Sequence, residues 1–440
     1  MRTSIVVCLM AFLALVWILR HAQVSLGLPI AYLANLLLLH VPGAVAQLFA
    51  ADRAMLTPIA YTRTGIIFTA IGSAAFVVGV FLVHLPAGKV TAQPAPRRFF
   101  WRFCVIWGGL LTVIAFMIHI PSIGAVLSRG GAIWMLGVLL ALRSAYERRD
   151  RAMAARWLAI LTVYPILMLM LGGFMSYGAM VVIIVLSGLA VTVKSPVRLG
   201  VIGVILLVAG MSIFLSYFQH RPEIRQAVWN GGNTEERIGA TMDAVRDIRL
   251  PDPNDKLQMF ALDQRLNQNY FAGLAASRID AGRVNYLYGR SIWEGVQALV
   301  PRALWPDKPV VAGSPKVVSE MTGLALSPNT SFGVGNVMEF HINFGIAGVI
   351  IGFLLLGVVI GALDRAAAAS DMKGDLGRTF LYFLPAVALI QPNGSIVEII
   401  SGAASALAAG YAWHLIWFSW PKPPFRASAA VIRTPEPAPS

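Results

Sequence analysis

The chain has 440 residues, 57% of them hydrophobic and 13% charged, where a soluble chain carries about 25% charged residues. Trp157 to Val193 holds no charge at all, and about 20 apolar residues cross a bilayer core of roughly 30 Å; a soluble globular fold is excluded. The two cysteines, Cys8 and Cys104, fall inside apolar segments, which excludes a disulfide framework and a cysteine-held metal centre, and the net charge of +14 sits in short loops rather than on a nucleic-acid-binding face.

In chain order, eleven apolar segments are expected as membrane helices: 4–19, 24–42, 65–85, 103–123, 124–142, 157–172, 176–193, 199–218, 342–363, 379–392 and 396–418. The first is expected as a membrane helix rather than a signal peptide, because Arg20 and a second apolar stretch follow without a small-residue cleavage site. Pro121 separates the fourth from the fifth, since it cannot donate a backbone hydrogen bond. The glycines of "GGFMSYG", 172–178, divide what would otherwise be one overlong helix. Lys89, Arg97, Arg98 and Arg102 form one basic loop; Arg143, Arg148, Arg149, Arg151 and Arg156 form another. By the positive-inside rule these loops face the cytoplasm, and so does the proline-rich tail 421–440, which is expected to be disordered. The fold class is all-α and polytopic, with helices 1–8 in residues 1–218 and helices 9–11 in 337–420.

Residues 219–336 break the apolar pattern. Between Arg221 and Glu320 stand thirteen Arg or Lys and twelve Asp or Glu, nearly half the charges of the chain. Lying between the eighth and ninth spans, this block is expected as a helical domain on the extracytoplasmic side. "NTEERIGATMDAVRDIRL" reads as a capped amphipathic helix, with Thr234 as N-cap and Ile238, Met242, Val245 and Ile248 as a packing stripe. "KLQMFALDQRLNQNYFAGLAASRID" reads as one further helix.

No P-loop, H-E-x-x-H or D-x-D motif occurs, and the spans carry few ionisable residues, which disfavours a coupled transporter. In "GRSIWEGVQALVPRALWPDKP" a short helix ends at Pro301, and Pro301, Pro306 and Pro309 each fix φ. Trp305 suits the headgroup layer, so Arg302 and Lys308 are held at a set depth. Their cations fit phosphate oxygens, or equally the headgroups of ordinary lipids. Downstream, Glu339, His341 and Asn343 cluster at the outer end of the ninth span. A carboxylate and an imidazole there suit general-base work, or capping and anchoring of the helix.

These two runs, "YLYGRSIWEGVQALVPRALWPDKP" and "GVGNVMEFHINFGIAGVIIG", resemble the oligosaccharide repeat unit polymerases, relatives of the Wzy-type O-antigen polymerases. The matching positions are Gly289, Ser291, Pro301, Arg302, Leu304, Trp305, Pro306, Lys308, Pro309, Glu339, Asn343, Phe344 and Gly345. "GGFMSYG" and "QPNGS" lack the arginines that members often carry in the corresponding turns. The resemblance implies a GT-C-like glycosyltransferase of the bacterial inner membrane, its site facing the periplasm or exterior. It implies no cofactor and no metal, a polyprenyl-diphosphate-linked oligosaccharide as substrate, and a flippase and chain-length regulator as partners. Of the matching positions, Arg302 and Glu339 are expected to be catalytic and Lys308, Asn343 and Trp305 to bind substrate; outside the matching positions, His341 is the competing catalytic base, and Arg290 and Arg278 are expected to add cations for the diphosphate. An O-antigen ligase, or a transporter of glycolipid or polysaccharide, remains the alternative.

Overall fold

The structure, a computed structural model, describes residues 1–22, 24–50, 54, 56–84, 100–117, 129–172, 175–193, 195–229, 234–300, 305, 314–326 and 333–419. Every regular element among them is an α-helix: α1 (Arg2–Ala22), α2 (Leu28–Phe49), α3 (Ile59–His84), α4 (Phe100–Met117), α5 (Gly130–Glu147), α6 (Arg151–Gly172), α7 (Met175–Thr192), α8 (Pro196–Trp229), α9 (Thr234–Arg246), α10 (Lys256–Arg265), α11 (Gln268–Asp280), α12 (Arg290–Ala298), α13 (Ser314–Thr322), α14 (Asn336–Met372), α15 (Leu376–Leu389) and α16 (Ile396–Ser419). Each of the eleven expected segments overlaps a described helix, while Pro121 and residues 173–174 of "GGFMSYG", expected to divide neighbouring helices, lie outside the described residues. Six described helices are long and apolar enough to cross a bilayer, namely α1, α2, α3, α8, α14 and α16. The protein is an all-α membrane protein. The tail beyond Ser419 lies outside the described residues.

Packing centres on α3 and α14, which run side by side. A Cβ on Gly357 of α14 would strike the carbonyl of Phe76 on α3, so the two backbones nearly touch. That closeness is the usual device for joining helices in lipid, where the hydrophobic effect does not drive them together. Tyr32 of α2 fills the space beside them, stacked on Phe76 with centroids 4.7 Å apart. On the other side α15 and α16 form a hairpin against α14, α4 pairs with α5, and α1 lies on α3.

α14 runs past the expected end of its span to Met372, which brings Asp364 inside the bundle. Its carboxylate is fully buried and accepts from the amides of Leu26 (3.0 Å) and Leu28 (3.1 Å). These are orphan donors at the entry of α2, where a negative charge also suits the helix dipole. Arg143 likewise departs from its expected place in a basic loop. It lies within α5 and is buried, donating to the carbonyls of Ser25 (3.0 Å) and Gly188 (3.0 Å).

α10 and α11 are fastened to α2 and α3 by a polar seam. The helix expected over 256–280 is two helices, broken at Leu266–Asn267. Pro42 interrupts the bonding of α2, and the next amide, Gly43, donates to the carbonyl of Leu266 at 2.9 Å. Asn267 donates to Asp263 (2.7 Å) and Thr62 (2.9 Å), which pulls it out of helical register. Asn269 donates to the carbonyl of His40 at 2.6 Å and accepts from Thr69 at 2.9 Å. The apolar stripe of α9 is not a packing face here. Ala240 and Ala244 turn towards α8, leaving Ile238, Met242, Val245 and Ile248 each at least 40% exposed.

Candidate functional site

"NFG", residues 343–345, interrupts α14. Phe344 (φ −142°, ψ 24°) and Gly345 (φ 61°, ψ −149°) are non-helical, and the second conformation is essentially reserved for glycine. The break releases the carbonyl of Ile342, which accepts from the amide of Leu287 at 2.8 Å. Non-helical backbone in a membrane helix survives only where protein or a wet cavity meets its polar groups. Here the segment "YLYGRS", which leads into α12, meets them.

Asn343 joins the two. Its side-chain oxygen accepts from the amide of Gly289 (2.9 Å), and its nitrogen donates to the Ser291 hydroxyl (2.8 Å) and the Glu339 carbonyl (2.8 Å). Gly289 has φ 88°, a left-handed turn that aims its amide at the asparagine. Glu339 stands one turn earlier and is 1% exposed. Its Oε2 accepts from the amide of Ile396 at 2.7 Å, where α16 begins, and the carboxylate is also hydrogen-bonded to Ser291. The charges of Glu294 and Glu398 reach it as well. The turn between α15 and α16 closes the side, with the amide of Asn336 donating to the carbonyl of Pro392 at 2.8 Å. The Asn336 side chain accepts from the Tyr32 hydroxyl at 2.7 Å. Three regions distant in sequence therefore meet at the N-terminal part of α14: α12 with its lead-in, the α15–α16 turn, and Tyr32 of α2.

The structure leaves the other expected site residues in unequal positions. His341 faces away from Ser291, its ring stacked on Phe68 of α3 with centroids 4.2 Å apart. Arg290, at the start of α12, grips both oxygens of Glu320 (2.8 and 2.7 Å), with Glu294 at 3.9 Å. Its positive charge is thus already balanced. Arg278 of α11 packs its guanidinium over Gly323, just past α13, and its buried Nε has no hydrogen-bond partner among the described residues. Trp305 is 36% exposed. Arg302 and Lys308 lie outside the described residues, shortly beyond α12.

Two participants are visible here that the sequence assigned no role. Ser291 bridges Glu339 and Asn343; its signal was its place two residues after the turn glycine. The amide of Ile396 has no sequence signal, because any residue except proline supplies one. No curated protein and no solved structure matches the chain. The model of a family described as a domain of unknown function, DUF8712, matches residues 9–376, from within α1 to the start of α15, with Ser291, Glu339 and Asn343 included. By that match, over most of its length, the chain belongs to the DUF8712 family.

Proposed function

We propose that the protein is a membrane-embedded glycosyltransferase that polymerises polyprenyl-diphosphate-linked oligosaccharide repeat units. In this reading the chain crosses the bacterial inner membrane eleven times in a GT-C-like arrangement, and residues 219–336 form a helical domain outside it. A hydroxyl of one lipid-linked unit attacks the anomeric carbon of the growing chain. The new glycosidic bond forms as the bond to the lipid diphosphate breaks, and the diphosphate leaves with that electron pair. The hydroxyl proton passes to a base. Arg302 and Lys308 meet the charge that develops on the leaving group, where poorly hydrated fixed cations act most strongly. Arg290 joins them once the diphosphate displaces Glu320. Arg278 and Trp305 contribute binding at the rim.

The observation that supports this reading is the bonding of the Gly289–Ser291 run to Asn343 and Glu339. These are the two segments that carry the resemblance, and they meet at a break in a membrane helix, a feature that builds substrate sites in membrane transporters as well. Glu339 is the base in this scheme, reached when the Ile396 side of the mouth opens. His341 is the alternative base on the far face. The test is purified lipid-linked repeat unit added to the purified protein in the presence of EDTA. A ladder of products is expected. A product that forms only with a second acceptor marks a ligase, unchanged substrate marks a transporter, and activity restored only by magnesium or manganese rejects the metal-independent scheme.

A further inference from the structure

Away from the mouth, at the outer end of α8, three guanidinium groups converge from two elements. Arg221 and Arg225 lie one turn apart on α8, and Arg265 is the last residue of α10. The Cζ of Arg265 stands 5.7 Å from the centroid of the Phe218 ring, a cation–π contact. Arg225 is hydrogen-bonded to the Tyr217 side chain. Burial, and then the like charges of Arg221 and Arg225, lower the Arg265 pKa to about 10. Among the described residues neither Arg221 nor Arg265 forms an ion pair with a carboxylate. Asp263, the acidic residue closest to Arg265 in sequence, is committed to Gln47, Thr57 and Asn267.

A chain does not gather like charges in a half-buried place without something to offset their repulsion. The surroundings say where the offsetting anion comes from. Below the arginines α8 exposes Val204, Ile205, Leu207 and Ile213 along a span that is mostly unburied. Beside them α9 presents its bare apolar stripe, held against α8 through the Ser216 hydroxyl and the Ala244 carbonyl. Cations at the end of an apolar helix, next to an amphipathic helix with its apolar face open, describe a bilayer interface. We propose that Arg221, Arg225 and Arg265 form a binding site for the phosphate of an anionic bilayer lipid, with its acyl chains lying along α8. The site is separate from the mouth at Glu339 and does not depend on the function proposed for it.

The test is native mass spectrometry of the full chain in detergent, titrated with phosphatidylglycerol, phosphatidylcholine or inorganic phosphate. Wild type should retain phosphatidylglycerol and not phosphatidylcholine, which has a phosphate but no net charge. Arg265→Gln should weaken retention by roughly tenfold, the loss expected for one charge-assisted hydrogen bond, and Arg265→Lys should weaken it less. Arg221→Gln, on the other helix, should repeat the loss and covers failure of the first variant to fold. Equal retention by wild type and both Gln variants, or no retention by wild type, overturns the site. Inorganic phosphate that binds alone and displaces the lipid makes the ligand a soluble anion and overturns the lipid assignment.

Discussion

Asn343 and Glu339 separate two kinds of contribution within one helical turn. Asn343→Leu keeps the bulk but leaves the Gly289 amide without its acceptor and takes one of two partners from the Ser291 hydroxyl, which keeps Glu339. Buried groups stranded in this way cost about 1–3 kcal/mol each, so thermal unfolding in detergent should show a clear loss of stability. Glu339→Gln is different, because a carboxamide oxygen still accepts from Ile396. Its Tm should stay near wild type while polymer formation falls by roughly 10²–10⁴-fold, the usual scale for a lost general base. A Gln variant that polymerises normally would make Glu339 a structural tie between α14 and α16. His341→Ala should matter less to turnover than Glu339→Gln. At Arg302, Arg302→Ala should abolish polymer with protein still in the membrane, and Arg302→Lys should rescue poorly, because a point charge replaces a planar fork. Full activity of the Ala variant would remove Arg302 from the diphosphate site. The cluster of Glu339 and Asn343 was readable in the sequence from spacing alone. Its closure by Ile396 was not, since a backbone amide leaves no trace in residue type.

Among the elements, α14 shows where sequence patterning succeeds and where it stops. Its apolar run announced a membrane helix, yet the same run concealed the break at Phe344–Gly345 and the continuation to Met372. Hydropathy averages over a window and is blind to one residue with positive φ. Gly345→Ala should destabilise by about 1–3 kcal/mol through backbone strain and loosen the Leu287–Ile342 bond. A contrasting substitution is Gly203→Ala on α8, where a Cβ meets nothing within 4 Å. That variant should be neutral or stabilised by up to about 1 kcal/mol, from helix propensity. Comparison of their melting curves decides it; equal losses at both positions would remove the special role given to the break. The single helix expected over 256–280 failed for a related reason. Its pattern is helical throughout, and what divides it is Gly43 on a distant helix, which takes the carbonyl of Leu266.

For the molecule as a whole, orientation is the most accessible expectation. Cys8 and Cys104 are both fully buried, so unmodified protein should be silent to thiol reagents. A cysteine at Asn254 should be labelled from outside intact cells, and one at Glu147 only after permeabilisation. The reverse pattern would put the mouth at Glu339 on the cytoplasmic face and end the reading as an exterior polymerase. The all-helical class was legible because uncharged stretches of such length have few other uses. The arrangement of the bundle was not legible. It rests on close backbone approaches such as Gly357 on Phe76 and on polar ties between residues hundreds of positions apart.

One of those ties carries a clock. The amide of Leu26 is satisfied by Asp364, 338 residues later in the chain. A ribosome adding about 5–20 residues per second needs roughly 20–70 s to cover that distance. Throughout that interval the Leu26 and Leu28 amides lack their Asp364 partner. The first helices therefore reach their final seating only after α14 emerges, and the bundle is locked by one of its last-made parts. Nascent chains stalled before residue 364 should leave the 24–27 turn open to protease, and chains stalled well past it should protect the turn. Protection at the shorter length would show that the N-terminal helices seat without Asp364.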